Sequence, residues 1–275
     1  MSQQHHQPVW VPDEVDIETP SAARMYDYYL GGSHNFAADR ELARQAMQAW
    51  PDARAFAVAN RAFLYRAVKL LAASGIDQFL DLGSGIPTAG NVHEVAFTAN
   101  PDARTLYVDC DPVAYAHGST LLSDVPYARF LHADLRDPES VLGNAELTGF
   151  LDLRRPVAVL LFLVLPFVPE ADDPAGIISA YREASAPGSY IALSHGTGDY
   201  RPQTVARIRD VYKHASHSMT LRSKPEIEAL LSGYELLEPG VIDTILWRPD
   251  RGAAPDPLGG DVARYSMYAA VGRRA

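Results

Sequence analysis

The chain has one cysteine, no strongly basic stretch and no apolar run long enough to cross a membrane, and each lack narrows the field. The lone Cys110 cannot close an internal disulfide, which suits a reducing compartment. The longest apolar run, residues 157–168 (VAVLLFLVLPFV), falls short of the ~20 residues a spanning helix needs and reads as a buried strand. The opening MSQQHHQPVW has neither the basic start nor the apolar stretch of a secretory signal, so a cytoplasmic location is expected. With 34 acidic against 24 basic residues the formal charge is −10, and a phosphate backbone is repelled at long range unless a local basic stripe overcomes it. The nearest approach to a stripe, residues 201–213 (RPQTVARIRDVYK), puts Arg207 and Lys213 on what reads as a solvated helix face. Nucleic acid and membrane are therefore not expected as partners; a small molecule is. What the chain does have is 47% apolar residues, enough for a sizeable core.

Three regions follow one another. Residues 1–18 read as a flexible, polar tail, whose His5 and His6 lack the converging further ligand of a metal site, so no metal is expected. Residues 19–75 read as a helical cap. Thr19-Pro20-Ser21 opens a helix, with proline in the first turn and hydroxyls to cap it, and Gly31-Gly32 stops it. Asn35 is placed to cap a second helix, on which Leu42, Ala46, Met47 and Trp50 share a face. Pro51-Asp52 ends that helix and starts a third, in which Phe56, Asn60, Phe63, Ala67, Leu70 and Leu71 keep the helical period until Ser74-Gly75.

From residue 76 to 275 strands and helices alternate. Apolar runs at 78–82, 105–108, 129–132, 157–165 and 190–194 are each followed by a polar turn and a helical pattern, the rhythm of a parallel sheet. Asp111-Pro112, Asp137-Pro138 and Asp173-Pro174 each offer an aspartate cap with proline in the first helical turn. Helices over 202–215 and 224–231 then precede two strands, 234–246 and 265–271, that can close the sheet as an antiparallel pair. The expected fold is α/β, a Rossmann-like doubly wound and mostly parallel sheet with an N-terminal helical cap.

In such a sheet, ligands sit outside the carboxyl ends of the strands, near the reversal of strand order. The run FLDLGSGIPTAGN (79–91) stands there, and its Gly83 and Gly85 let the backbone turn sharply and approach a ligand. A dinucleotide loop adds a third glycine and a helix N-terminus that cradle a pyrophosphate; here that position is Thr88, and Pro87 removes an N–H donor. Asp81 would repel phosphate and attract a cation. S-adenosylmethionine has an ammonium and a sulfonium and no phosphate, and fits. The second strand ends in YVDCDP, where Asp109 can accept hydrogen bonds from both ribose hydroxyls, and the third in HADLRDP, where Asp134 can take the exocyclic amine of adenine. An aspartate at each of three successive strand ends, with the glycines, is a specific constellation; Asp111 and Asp137 read as caps only.

The set DLGSGIPTAGNVHE, YVDCDP, ADLRDP, FVPEADDP, APGSYIALSH and ARMYDYYLGGSHNFAADRE resembles the actinobacterial S-adenosyl methyltransferase family once known as a domain of unknown function, over about residues 21–273. The resemblance implies a class I methyltransferase fold, a seven-stranded sheet with its last strand antiparallel, and S-adenosylmethionine as methyl donor. By match of motif it carries Asp81, Gly83 and Gly85 to the methionine end, Asp109 to the ribose, and Asp134 with Leu135 to the adenine. Where the family often reads V-L-H-F-V after the fourth strand, this chain reads Val164-Leu165-Pro166-Phe167-Val168, so no role of that histidine carries over to Pro166.

Residues 24–36 (RMYDYYLGGSHNF) are dense in aromatic, charged and amide groups. One reading pairs Arg24 with Asp27 or Tyr28 on the helix surface; the other makes the helix and its Gly-Gly turn a lid, with Arg24 or Tyr28 on the donor's carboxylate or on the acceptor. Transfer from a sulfonium is mainly alignment of an acceptor lone pair with the methyl in a dry pocket, and a base helps only if the acceptor must lose a proton. His195, just past the fifth strand, is the foremost candidate base and His34 the second; against His195 stands a histidine satisfied within its own loop. His214 and His217 read as solvent-facing, and residues 162–167 as core and pocket wall. The expected function is S-adenosylmethionine-dependent methylation of a small, aromatic or otherwise apolar metabolite. A non-catalytic regulator or scaffold binding the donor or its demethylated product is the alternative, and an NAD-dependent oxidoreductase, disfavoured by Pro87 and Asp81, the third.

Overall fold

The computed structural model describes residues 16–87, 90–250 and 256–275; His5, His6 and Thr88 lie outside them. Three helices come first, α1 (Ala22–Tyr29), α2 (Ala37–Ala49) and α3 (Ala53–Ala73). Then β1 (Gln78–Leu82), α4 (Val92–Ala99), β2 (Arg104–Asp109), α5 (Pro112–Leu121), β3 (Ala128–His132), α6 (Pro138–Leu142), α7 (Ala145–Thr148), β4 (Ala158–Phe162), α8 (Pro174–Ala184) and β5 (Tyr190–Gly196) alternate. The chain ends with α9 (Pro202–Tyr212), α10 (Lys224–Leu230), β6 (Glu235–Leu236), β7 (Ile242–Asp243), α11 (Val262–Tyr265) and β8 (Met267–Arg273). No described helix is long and apolar enough to cross a membrane.

Among the described residues the strands form one sheet in the order β3-β2-β1-β4-β5-β8-β6, with β7 also on β8. β1 to β5 are parallel, and β8 runs antiparallel to β5. Every residue of β1 and β4 is buried, as central strands covered on both faces require. The order reverses between β1 and β4, where Asp81 lies level with Leu160. The strand expected over 234–246 is split. Glu235 pairs with Arg273 and Ile242 with Ala269, so β6 and β7 make one interrupted edge along β8. Pro239, which has no N–H to donate to a ladder, and Gly240 at φ +78° stand in the gap.

The three Asp-Pro starts cap their helices: Asp111 accepts from the N–H of Val113, Asp137 from Ser140 and Asp173 from Gly176. The expected cap at Asn35 does not form. Its amide instead donates to Asp27 and to the Gly32 carbonyl, and α2 is closed by Asp39, whose carboxylate accepts the Phe36 N–H at 2.7 Å. The Gly31-Gly32 turn wraps around Asp27 so tightly that a Cβ on Gly32 would lie 1.9 Å from its Oδ1.

One face of the sheet packs Phe79, Tyr107 and Leu160 against Phe63, Val68 and Leu71 of α3 and the apolar sides of α4 and α5. The other packs Leu80, Leu106 and Leu161 against α6, α8 and α10. A third cluster joins Met25, Tyr29, Leu42 and Ala46 of α1 and α2 to Ile208 and Tyr212 of α9. The helical region 19–75 is thus tied to the sheet through α3, and its α1 and α2, packed on α9, roof the carboxyl edge.

Candidate donor and acceptor site

A cavity of about 380 Å³ lies at the carboxyl ends of β1 to β5, beneath α1, the start of α3 and α9. Its two halves differ in chemistry.

The first half is built on β1, β2 and β3. Asp81 is 4% exposed, and burial pushes its carboxyl up to about 7, with the Arg61 cation pulling it down and the Asp109 charge adding to the rise. The chain after it turns back over β2, the N–H groups of Gly83 and Ser84 donating to the Val108 carbonyl at 2.8 and 3.2 Å. Gly83 has φ +66°, and a Cβ there would stand 2.1 Å from Val164 Cγ2, so both backbone and neighbour demand glycine. Gly85 has φ +67°, and a Cβ there would find its nearest neighbour, Ala23 of α1, only at 4.0 Å, so the left-handed backbone rather than crowding calls for glycine. Asp109, 8% exposed, accepts the Gly85 N–H at 2.7 Å on Oδ2 and the Asp111 N–H at 2.8 Å on Oδ1. Burial raises its carboxyl to about 6. Each of its oxygens keeps a further lone pair for a ligand hydroxyl.

Asp134 also borders the cavity, but its carboxylate is gripped by Arg136, whose NH2 donates at 2.6 Å and Nε at 2.9 Å, while NH1 reaches Asp172 at 3.2 Å. Burial alone would raise the Asp134 carboxyl, and the Arg136 contacts outweigh it and hold it below the usual range. Leu135 is buried and lines the wall beside it. His217, expected in solvent, lines this half too, its imidazole pushed down by burial.

The cap is clasped to the end of β2. Ser21 Oγ hydrogen-bonds Asp111. Arg24 is buried, and neither sequence reading describes its pairing: its Nε donates to both oxygens of Asp39, at 3.0 and 2.9 Å, and its NH2 to the Thr19 carbonyl at 2.6 Å. Its NH1 faces Asp111 at 3.7 Å on the cavity rim. Tyr28 does not line the cavity; it packs into the apolar contact of α1 with α2 and α9.

Neither candidate base stands in the cavity. Successive side chains of a strand point to opposite faces, and on β5 it is Ser194 that reaches α3, its Oγ donating to Asn60 Oδ1 at 2.6 Å. His195 is fully buried on the other face, where Nε2 lies 3.0 Å from Arg222 NH1 and Nδ1 2.7 Å from the Gly196 carbonyl. Arg222 can only donate, so Nε2 accepts and Nδ1 carries the proton. Burial pushes this imidazole down to about 3, with the Arg222 charge adding to the fall. His34 sits outside the cavity: its backbone N–H donates to Asp27 Oδ2 at 2.9 Å and its ring packs at 3.6 Å on that of His117.

The second half of the cavity is aromatic. Tyr26, Tyr29, Trp50, Phe56, Phe167 and Tyr212 line it, and Pro166 joins them where the family often has histidine. Asn60 donates to Tyr26 Oη at 3.0 Å, which donates to the Ala57 carbonyl at 3.0 Å, and the Tyr29 and Tyr212 hydroxyls meet at 3.1 Å. Burial raises both Tyr26 and Tyr29, so these phenols stay protonated. At the junction of the halves Leu163 holds φ +57°, a strained value for a branched side chain, between Phe162 and Val164. Of this half only the Tyr-rich first helix and the 162–167 wall were visible in the sequence.

The residues present fit S-adenosylmethionine better than a dinucleotide. Two buried carboxyls, raised by burial at adjacent strand ends, accept hydroxyl and ammonium donors and oppose a pyrophosphate. Among the described residues no group of His, Cys, Asp and Glu is arranged to hold a metal ion.

A family model described as S-adenosyl methyltransferase matches residues 8–275. A protein from Thermobifida fusca assigned as a methyltransferase is 40% identical, with a TM-score of 0.88 over 97% of this chain and 99% of that one. A domain-of-unknown-function family protein from Streptomyces avermitilis is 39% identical, with a TM-score of 0.89 over 94% of this chain and 99% of that one. Human N-acetylserotonin methyltransferase, in complex with S-adenosylmethionine, is 14% identical at a TM-score of 0.50 over 91% of this chain and 59% of that one, a likeness of fold alone. No curated protein matches the sequence.

Proposed function

The chain belongs to the S-adenosyl methyltransferase family, and from that premise we propose that it methylates a small, aromatic or otherwise apolar metabolite held under the cap. The observation that carries this reading is one continuous cavity, acidic and glycine-lined at the carboxyl ends of β1 to β3 and aromatic beneath α1, α3 and α9.

When bound, S-adenosylmethionine supplies a methyl group on a sulfonium that is already a good leaving group. Asp81 provides the counter-charge for an ammonium at the head of the loop, Asp109 accepts from the ribose hydroxyls, and Leu135 with Asp134 borders the adenine. Ala23 and the aromatic roof line the cavity and keep water from the reacting centre, where alignment supplies most of the rate. His217 is the one imidazole lining the cavity among the described residues, and it stands beside Asp134 and Arg136, in the donor half. The acceptor therefore brings its own lone pair at neutral pH, as an aromatic amine or an acidic phenol does.

Incubating the purified protein with S-adenosylmethionine and a metabolite extract of its own host tests this. A methylated small molecule forming in step with S-adenosylhomocysteine is expected; a donor that is bound but never consumed would leave only a binding protein.

A further inference from the structure

Building on that reading of the cavity, we propose that the acceptor is an aromatic carboxylate, its ring among the aromatic side chains of the cap and its carboxylate on Arg201.

Arg201 immediately precedes α9 and lines the aromatic half of the cavity. Of the other charged residues of the lining, Arg61 of α3 donates to the Gly90 carbonyl at 2.7 Å and the rest lie at the ends of β1 to β3 or about the start of α1, whereas Arg201 stands at the start of α9. Its guanidinium is 35% exposed, and its nearest carboxylates, Asp52 at 3.5 Å and Asp261 at 3.8 Å, are beyond good hydrogen-bond distance. Both are engaged elsewhere. Asp52 accepts from Arg264 Nε at 3.0 Å and NH2 at 2.5 Å, and Asp261 caps α11 through the Ala263 N–H at 3.1 Å. The fork of Arg201 donors, whose geometry matches a carboxylate, thus makes two long ion pairs but no hydrogen bond to any described residue.

Trp50 is a further polar aromatic group of this half. It stands two residues before Asp52, lines the same half and packs edge-on to Phe56 at 4.6 Å, and its buried Nε1 has no hydrogen-bond partner among the described residues. A buried indole N–H ordinarily finds an acceptor. A neutral hydrocarbon acceptor would leave the Arg201 guanidinium facing apolar surface, whereas a ring bearing a carboxylate satisfies the aromatic wall and that cation together.

The test is calorimetric titration of the full chain, saturated with S-adenosylhomocysteine, with para-hydroxybenzoate, para-hydroxycinnamate and indole acetate, each beside its neutral amide. At least one acid is expected to bind about tenfold or more tightly than its amide, the advantage of a charge-assisted pair over a neutral one. Arg201→Met should abolish that preference and Arg201→Lys, which keeps the charge without the fork, should reduce it. Asp261→Asn, which removes an ion pair of Arg201 and leaves its guanidinium in place, should retain it. No acid bound more tightly than its amide, or a preference that survives Arg201→Met, overturns the proposal. Affinity for S-adenosylhomocysteine is read in the same experiments: its loss from the unaltered protein sinks the donor reading, while its retention without acid preference sinks this inference alone.

Discussion

Replacing Asp109 with alanine removes a carboxylate shared by two parts of the site. In the folded chain it accepts the N–H of Gly85 at 2.7 Å and of Asp111 at 2.8 Å, holding the glycine loop against the end of β2. Losing the acceptor strands two poorly solvated N–H groups at a cost of ~1–3 kcal/mol each. Against that stands the release of the burial penalty that pushes this carboxyl up to about 6. A net loss of ~1–3 kcal/mol in stability is expected. Donor affinity falls further, because a ribose hydroxyl loses a charged acceptor worth ~1.5–3 kcal/mol, which is roughly tenfold to 150-fold in Kd. Calorimetric titration with S-adenosylhomocysteine reads the affinity, and a thermal melt reads the stability. Asp109→Asn, which keeps one acceptor oxygen and the side-chain volume, should fall between the two. A folded alanine variant that binds within twofold of the unaltered protein would refute the ribose assignment and leave Asp109 as a loop anchor.

Three further outcomes follow from the same geometry. The folded chain holds the Asp81 and Asp109 protons up to about 7 and about 6, against an ordinary aspartate value of 3.8. Their contribution to stability is therefore full below that value and lost as pH rises through 6 and 7, so the ligand-free protein should melt lower at pH ~8 than at pH ~5, and less so in Asp81→Asn. An ammonium pairs with the ionised form, so S-adenosylhomocysteine should bind more tightly with rising pH and release a proton; a flat profile would dismiss Asp81 as its counter-charge. His195→Ala should cost ~1–3 kcal/mol by leaving Arg222 short of an acceptor, with donor affinity and methyl transfer intact, and a tenfold rate loss in a folded variant would restore the histidine as a base. Gly83→Ala should lower the melt and weaken donor binding, since its Cβ meets Val164 at 2.1 Å in a left-handed turn; no change in either would contradict that packing.

The donor half was legible because its residues lie on consecutive strand ends, each announced by an apolar run, a turn and, twice, an Asp-Pro cap. Burial patterns were read well and directions less well. The run 157–165 stays apolar to its end, yet β4 stops at Phe162, because Leu163 turns left-handed and the residues after it line a cavity that hydrophobicity cannot tell from a core. On β5 both faces are buried from Ile191 onward, so no alternation marked the side to which His195 points. The acceptor half comes from the ends of α2, α3 and α9, distant in sequence, and only the packing of Ile208 and Tyr212 on α1 and α2 brings them together. Arg201 heads the 201–213 run, which the sequence reading weighed only as a basic stripe, so its place in a cavity was not legible.

The most direct test of the central claim is a crystal structure of the protein with S-adenosylhomocysteine. The ribose hydroxyls are predicted on Asp109, the ammonium beside Asp81, the adenine against Leu135, and the sulfur facing the aromatic half of the cavity. A ligand bound away from the ends of β1 to β3, or displaced from them by NAD, would contradict it.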